Sequence, residues 1–235
     1  MPPSRPPCPL RPAARLATIA WIAGLALPLP ALAAGGHHAV DDASIADPGQ
    51  CALEAWGEHS RDHRLQHAGG ACRAGALELG LNLDRSISPG EAAVRSLGLQ
   101  LKAAGDLQPG LSVGATWTTT WQSGTPRLAG HTALLLLTWQ PRDDLALHLN
   151  LGREFPTQDP ALTRHGLALE WQLTPRWQAL AERWQDALGP QQRLGLRYTL
   201  SERLTLDLSR ARGDHGRHPV WWTLGLNWAL THGQR

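Results

Sequence analysis

Between residues 51 and 230 the chain alternates apolar and polar positions in stretches of roughly ten residues, broken by short Pro/Gly/Asp turns and longer polar links. The clearest stretch is Leu77-Glu78-Leu79-Gly80-Leu81-Asn82-Leu83-Asp84, with Leu on every odd position and a polar residue or Gly on every even one. Successive side chains of a strand point to opposite faces, so this segment has a Leu face and a polar face. The same reading predicts strands over 51–58, 64–72, 76–84, 93–103, 111–121 and 129–139, then 144–154, 163–173, 177–185, 191–200, 203–211 and 220–230.

The connections carry separate information. Residues 105–110, 140–143, 174–176 and 201–202 read as tight turns, while 85–92, 122–128, 155–162 and 212–219 are longer. Short and long links alternate, the pattern of an outer-membrane barrel with short periplasmic turns and long external loops. The expected fold is therefore all-β: an antiparallel transmembrane up-and-down β-barrel of about 12 strands, with lipid on the Leu face and a watery lumen on the other.

What precedes the strands reads as an export signal. Arg5, Arg11 and Arg15 make a basic start, residues 16–27 are apolar, Pro28 and Pro30 follow, and Ala31-Leu32-Ala33 has the small-x-small form of a cleavage site. The apolar stretch is short of the roughly 20 residues a spanning helix needs. Cys8 lies ahead of it and cannot accept lipid, and adjacent arginines are absent. The expected layout is a leader over 1–33, a periplasmic segment over 34–50 that could plug the barrel, the barrel over 51–230 and a tail over 231–235. Losing the leader arginines takes the formal charge of +2 to about −1, with no concentrated basic surface for nucleic acid.

Cys51 and Cys72 remain, an even count that favours a disulfide in an oxidising compartment. With short turns inside, both fall at the periplasmic rim. Tryptophan is abundant beside a single Tyr and a single Phe. Trp139, Trp171, Trp177 and Trp228 fall near expected periplasmic strand ends and Trp56, Trp121, Trp184 and Trp222 near external ones, as interfacial indoles prefer.

The opening His37-His38-Ala39-Val40-Asp41-Asp42-Ala43, then Pro48-Gly49-Gln50-Cys51, and the closing Trp221-Trp222-Thr223-Leu224-Gly225-Leu226-Asn227-Trp228 resemble a group of small secreted proteobacterial proteins, uncharacterised porin-like or transporter-like barrels. The resemblance implies fold and compartment and brings no catalytic residue. Residues 231–235 follow the last strand, so Trp228 would supply the terminal aromatic that the barrel assembly machinery reads. Expected partners are that machinery, outer-membrane lipid and a small solute, with no cofactor.

Candidate chemistry is sparse. Gly110-Leu111-Ser112-Val113-Gly114 has the G-x-S-x-G form but opens an alternating strand instead of a strand-to-helix elbow. No Ser and His fall side by side on the expected outer wall, so no enzyme is expected. His37 and His38 with Asp41 and Asp42 could bind a transition metal. His59, His63 and His67 share a face, and His215 with His218 fall in an external loop, all without a zinc-site spacing. By parity the lumen takes Glu78, Asn82, Gln100, Lys102, His148, Asn150, Glu170, Gln172, Glu182, Arg193, Arg197, Asp207 and Asn227; their mixed signs give no ion preference. Leu134 and Leu136 also point inward, so residues 34–50 are expected to dock at the periplasmic mouth through Val40 and Ile45, or to hang below it. Two functions follow: a narrow channel or small-solute transporter, or a plugged barrel that binds a metal or a partner.

Overall fold

The computed structural model describes residues 37–213 and 220–231. Twelve strands run in order: β1 (Gln50–His59), β2 (Arg64–Ala74), β3 (Leu77–Ile87), β4 (Val94–Gln108), β5 (Leu111–Gln122), β6 (Leu128–Arg142), β7 (Leu145–Pro156), β8 (Leu162–Thr174), β9 (Trp177–Asp186), β10 (Gly189–Ser201), β11 (Leu204–Gly213) and β12 (Trp221–Thr231). Each pairs antiparallel with the next and β1 closes on β12, giving one barrel with no free edge. Alternation dictates the two surfaces. Leu77, Leu79, Leu81 and Leu83 face out, 43–50 % exposed, while Glu78 between them is buried inside. The leader reading over 1–33, the tail over 232–235 and His215 with His218 lie outside the described residues.

One rim is made of two-residue turns at 75–76, 109–110, 143–144, 175–176 and 202–203; links at the other include 60–63, 88–93, 123–127 and 157–161. The turn at 109–110 requires its glycine: the φ of Gly110 is +75°, and a Cβ there would sit 2.6 Å from the Gln140 carbonyl oxygen. The turns are tighter than composition implies. β4 continues to Gln108 and β6 to Arg142, through register shifts at Asp106/Gln108 and Trp139/Arg142 that leave Pro141 out of the ladder. A bulge tolerates the missing proline N–H, so a Pro-rich run reads as turn while it is still strand.

Cys51 and Cys72 are register partners on β1 and β2 at the short-turn rim and are bonded, S–S 2.06 Å. The bond closes a loop with a sequence separation of 21, for which the chain-entropy model gives roughly 3 kcal/mol. Closure of the twelve-strand barrel contributes far more, so a Cys51→Ala/Cys72→Ala variant is expected to assemble with a modestly lower denaturant midpoint. Thiol counting on the denatured, leader-free wild type should find none free.

The tryptophans divide differently from expectation. Trp139, Trp171, Trp177, Trp222 and Trp228 are exposed on the outer wall, and Trp117 joins them mid-wall between Leu101 and Ala133. Trp56 and Trp184 point inward. Trp56 stacks on His67 with ring centroids 4.5 Å apart, and Trp184 meets Trp221 edge-on beneath the Arg193 guanidinium. Each shares the parity of a lumen carboxylate, Glu54 or Glu182, and parity decides the face where closeness to a strand end does not.

Candidate functional site: a segment bound in the lumen

Ahead of β1 the chain turns at Pro48-Gly49, where Gln50 N donates to Asp47 O (2.9 Å), and then enters the barrel. Residues 37–46 lack alternation and so cannot join the wall; their backbone polar groups must find partners elsewhere. Lumen side chains supply them. Ala46 N donates to Glu78 Oε2 (2.7 Å) and Arg73 Nη1 donates to Ala46 O (3.1 Å), both near the short-turn rim. Ala43 N donates to Thr138 Oγ1 (2.8 Å). Lys102, the only lysine of the chain, donates to Asp41 Oδ1 (2.8 Å) and Asp42 Oδ1 (3.0 Å). Asn150, with its amide oriented to satisfy both contacts, donates to the Asp41 carbonyl (2.8 Å) and accepts from the Asp41 N–H (2.7 Å). Glu182 Oε2 accepts from Ala39 N (3.0 Å) and Val40 N (3.1 Å). Arg193 Nη1 donates to the His37 carbonyl, and His37 Nε2 lies 2.7 Å from Ser209 Oγ.

The segment thus climbs from Glu78 at the short-turn end of β3 to Glu182 and Arg193 in the outer halves of β9 and β10. The segment is docked, as one of the two expectations had it, but far deeper than the mouth. The apolar contribution is narrow. Val40, 2 % exposed, packs with Ala168, Trp184 and Ala211, and Gly166 gives it room, since a Cβ there would lie 2.5 Å from Val40 Cγ2. Leu136 is buried and Leu134 and Ile45 half-buried, but it is backbone-to-side-chain hydrogen bonding that holds the segment.

Among the sequence-derived lumen residues, Glu78, Lys102, Asn150, Glu182 and Arg193 hydrogen-bond the segment directly. Behind them Arg197 makes a paired contact with Asp207 (Nε–Oδ1 2.7 Å, Nη2–Oδ2 3.0 Å), and Asn227 donates to Asp207 Oδ2 (2.8 Å). His148 Nδ1 lies 2.9 Å from Thr138 Oγ1, and Gln178 donates to Glu170 (3.1 Å). Gln100 donates to Thr118 (3.3 Å) and Gln172 to the Thr174 carbonyl (2.7 Å). Asn82 is half-buried; among the described residues neither it, Gln100 nor Gln172 hydrogen-bonds the segment. Thr138 and Ser209 were not among the sequence candidates, although their parity matches Leu136 and Asp207.

The proposed metal set comes apart. Asp41 and Asp42 are taken by Lys102, whereas His37 and His38 meet Asp207, a residue far away in sequence. Burial pushes the His37 imidazole well below its ordinary range, helped by His38, Arg193 and Arg197, so it is neutral. His59, His63 and His67 also separate. His67 turns inward between Asp84 (2.6 Å) and Glu54 (3.0 Å), while His59 and His63 stay at the long-loop rim.

Ser112 lies in β5 and donates to Asp106 (2.6 Å), far from any elbow geometry. The outer wall does carry a hydroxyl–imidazole contact, Thr119 with His131 (3.0 Å). Among the described residues no side chain hydrogen-bonds the ring's other nitrogen, so the pair lacks the orienting group of a catalytic constellation.

Solved structures with the same fold include a KdgM porin, 10 % identical, TM-score 0.62, with 77 % of this chain and 99 % of that one covered. A NanC porin is similar at 10 % identity and TM-score 0.58, covering 77 % and 100 %. Outer membrane phospholipase A from Escherichia coli follows at 11 % identity and TM-score 0.51, covering 82 % and 93 %. At such identities these likenesses establish the barrel fold alone. No curated protein matches the chain. Residues 23–230 match the model of the family described as uncharacterised conserved protein UCP029691, and the chain belongs to that family.

Proposed function

We propose that the protein is an outer-membrane channel for small solutes that its own N-terminal segment closes. The membrane reading rests on the belt of exposed Leu and Trp around the wall, which a water-facing barrel would have to cover. The closure reading rests on one observation: residues 37–46 occupy the lumen, held from Glu78 near one rim to Arg193 in the opposite half. A barrel filled this way passes nothing until the segment moves. The KdgM porin, similar in fold, has been seen in complex with disordered oligogalacturonate, which supports a barrel of this shape carrying small solutes when open.

A second reading, a barrel permanently plugged for binding or architecture, draws on Arg193, which pairs with Glu182 on neighbouring β9 and also reaches Glu58 on β1 (2.9 Å) across the interior. Planar-bilayer recording separates the two. The wild type is expected to be nearly silent, and a variant lacking residues 34–47 but retaining the cleavage signal to show discrete steps. Silence from both selects the permanent plug. Equal conductance from both overturns closure by the segment.

A further inference from the structure

We propose that His37, His38 and Asp207 form a site for a divalent transition-metal ion that clamps the N-terminal segment to the barrel wall. The proposal rests on the segment being docked in the lumen and adds a ligand that holds it there. One ligand atom from each residue lies within 4.8 Å of the others, and His37 Nδ1 is 3.8 Å from Asp207 Oδ2. Two ligands that each approach an ion to about 2.1 Å can stand up to roughly 4 Å apart, so side-chain adjustment alone closes the site.

A second, independent observation points to a ligand. The His37 and His38 side chains are 0 % and 6 % exposed, yet His37 Nδ1 and His38 Nε2 have no hydrogen-bond partner. A buried ring nitrogen left bare costs free energy unless something ligates it. The other nitrogen of His37 is already fixed by Ser209 Oγ at 2.7 Å, the outer-shell contact that orients a metal-binding imidazole. On the far side of His38, Glu182 Oε1 lies 3.9 Å from Nδ1.

The local charge favours a cation. Arg193 and Arg197 face four carboxylates, Glu58, Glu182, Asp207 and Glu170. The two guanidiniums leave two of these carboxylate charges unbalanced, which a divalent ion offsets. Two imidazoles and one carboxylate select zinc, cobalt, nickel or copper over magnesium or calcium. Two ligands come from the segment and the third from β11, so the ion crosslinks plug to wall.

The test uses the full leader-free protein in detergent, stripped with a chelator. Zn2+ is titrated by calorimetry and Co2+ by visible absorption. The expected result is one ion per chain, with affinity at least tenfold weaker in His38→Ala and in the variant lacking 34–47 but unchanged in His67→Ala. His38→Gln, which keeps most of the side-chain volume, should lose binding equally and guards against an assembly defect. Ser209→Ala, removing a positioning hydroxyl, should weaken binding by roughly tenfold at unchanged stoichiometry. Zn2+ should also slow amide exchange over 39–46 in the wild type and leave His38→Ala unaffected. No Zn2+ binding, or binding that survives His38→Ala, overturns the clamp. The two readings fail separately: conductance that rises on deletion without Zn2+ binding removes the clamp alone, and one-to-one binding with unchanged conductance removes the channel closure alone.

Discussion

Glu182→Ala is expected to open the barrel almost as fully as removal of the segment itself. Its carboxylate accepts from Ala39 N and Val40 N and pairs with Arg193 Nη1 at 2.8 Å, in a side chain only 2 % exposed. Truncation leaves two segment amides and a buried guanidinium short of an acceptor. Removing one partner of a buried pair costs about 3–5 kcal/mol, which is more than a hundredfold in the docked-to-undocked ratio at RT of about 0.59 kcal/mol. Hydrogen exchange reads this directly, because the amides of Ala39, Val40, Ala43 and Ala46 each bond a wall side chain. Their protection should fall by at least a hundredfold while that of β3 and β4 stays put. Conductance should rise toward the level of the deletion variant. Protection retained across 39–46 would show that Glu182 does not hold the segment.

Leu81→Arg is expected to block assembly or lower stability sharply. Leu81 is 45 % exposed on the outer face between Gly70 and Leu99, midway along β3. An arginine at the centre of a lipid-facing wall costs about 2–4 kcal/mol. Thr118→Arg is the matched control, since Thr118 faces inward beside Gln100. Ser209 would be a poor control because it is buried against His37. The heat-sensitive mobility of the folded barrel on gels and its denaturant midpoint measure both variants. Equal assembly of the two would mean that the outer face does not meet lipid.

The wall was legible in the sequence because period-two alternation is a local property that each strand carries alone. Leu77 to Asp84 would read the same in any register, and every proposed strand is present to within a few residues. The errors sit where composition stood in for geometry. Prolines and glycines near 105–110 and 140–143 read as tight turns over their whole length, yet bulged strands absorb Pro141 and leave turns of only two residues. Trp56 and Trp184 were placed by closeness to a strand end, when their parity with Glu54 and Glu182 already turned them inward. The interior of the site was much less legible. The contacts of 37–46 join a patternless stretch to residues on eight strands, and most run through backbone N–H and C=O groups, which look alike in any sequence. The nearness of His37 to Asp207 is a product of barrel closure, and no spacing encodes it. Asp41 and Asp42 could be recognised as a pair, but not that Lys102 would claim both.

If the segment closes the barrel as proposed, its tether at the disulfide gives that closure a kinetic character as well as an address. Cys51 is pinned to β2, and only residues 47–50 separate it from Ala46, the first lumen-bound residue on the way in. A ligand held on so short a leash never dilutes into bulk. Its effective concentration at the lumen is in the millimolar range typical of short flexible linkers, so reclosure is a unimolecular step whose rate does not depend on how much protein is present. A free peptide copying residues 37–46 would have to reach comparable concentrations to compete. On the proposed function, any solute that holds the channel open must likewise outbid a tethered rival, which would make the threshold for opening a property of the leash as much as of the lumen.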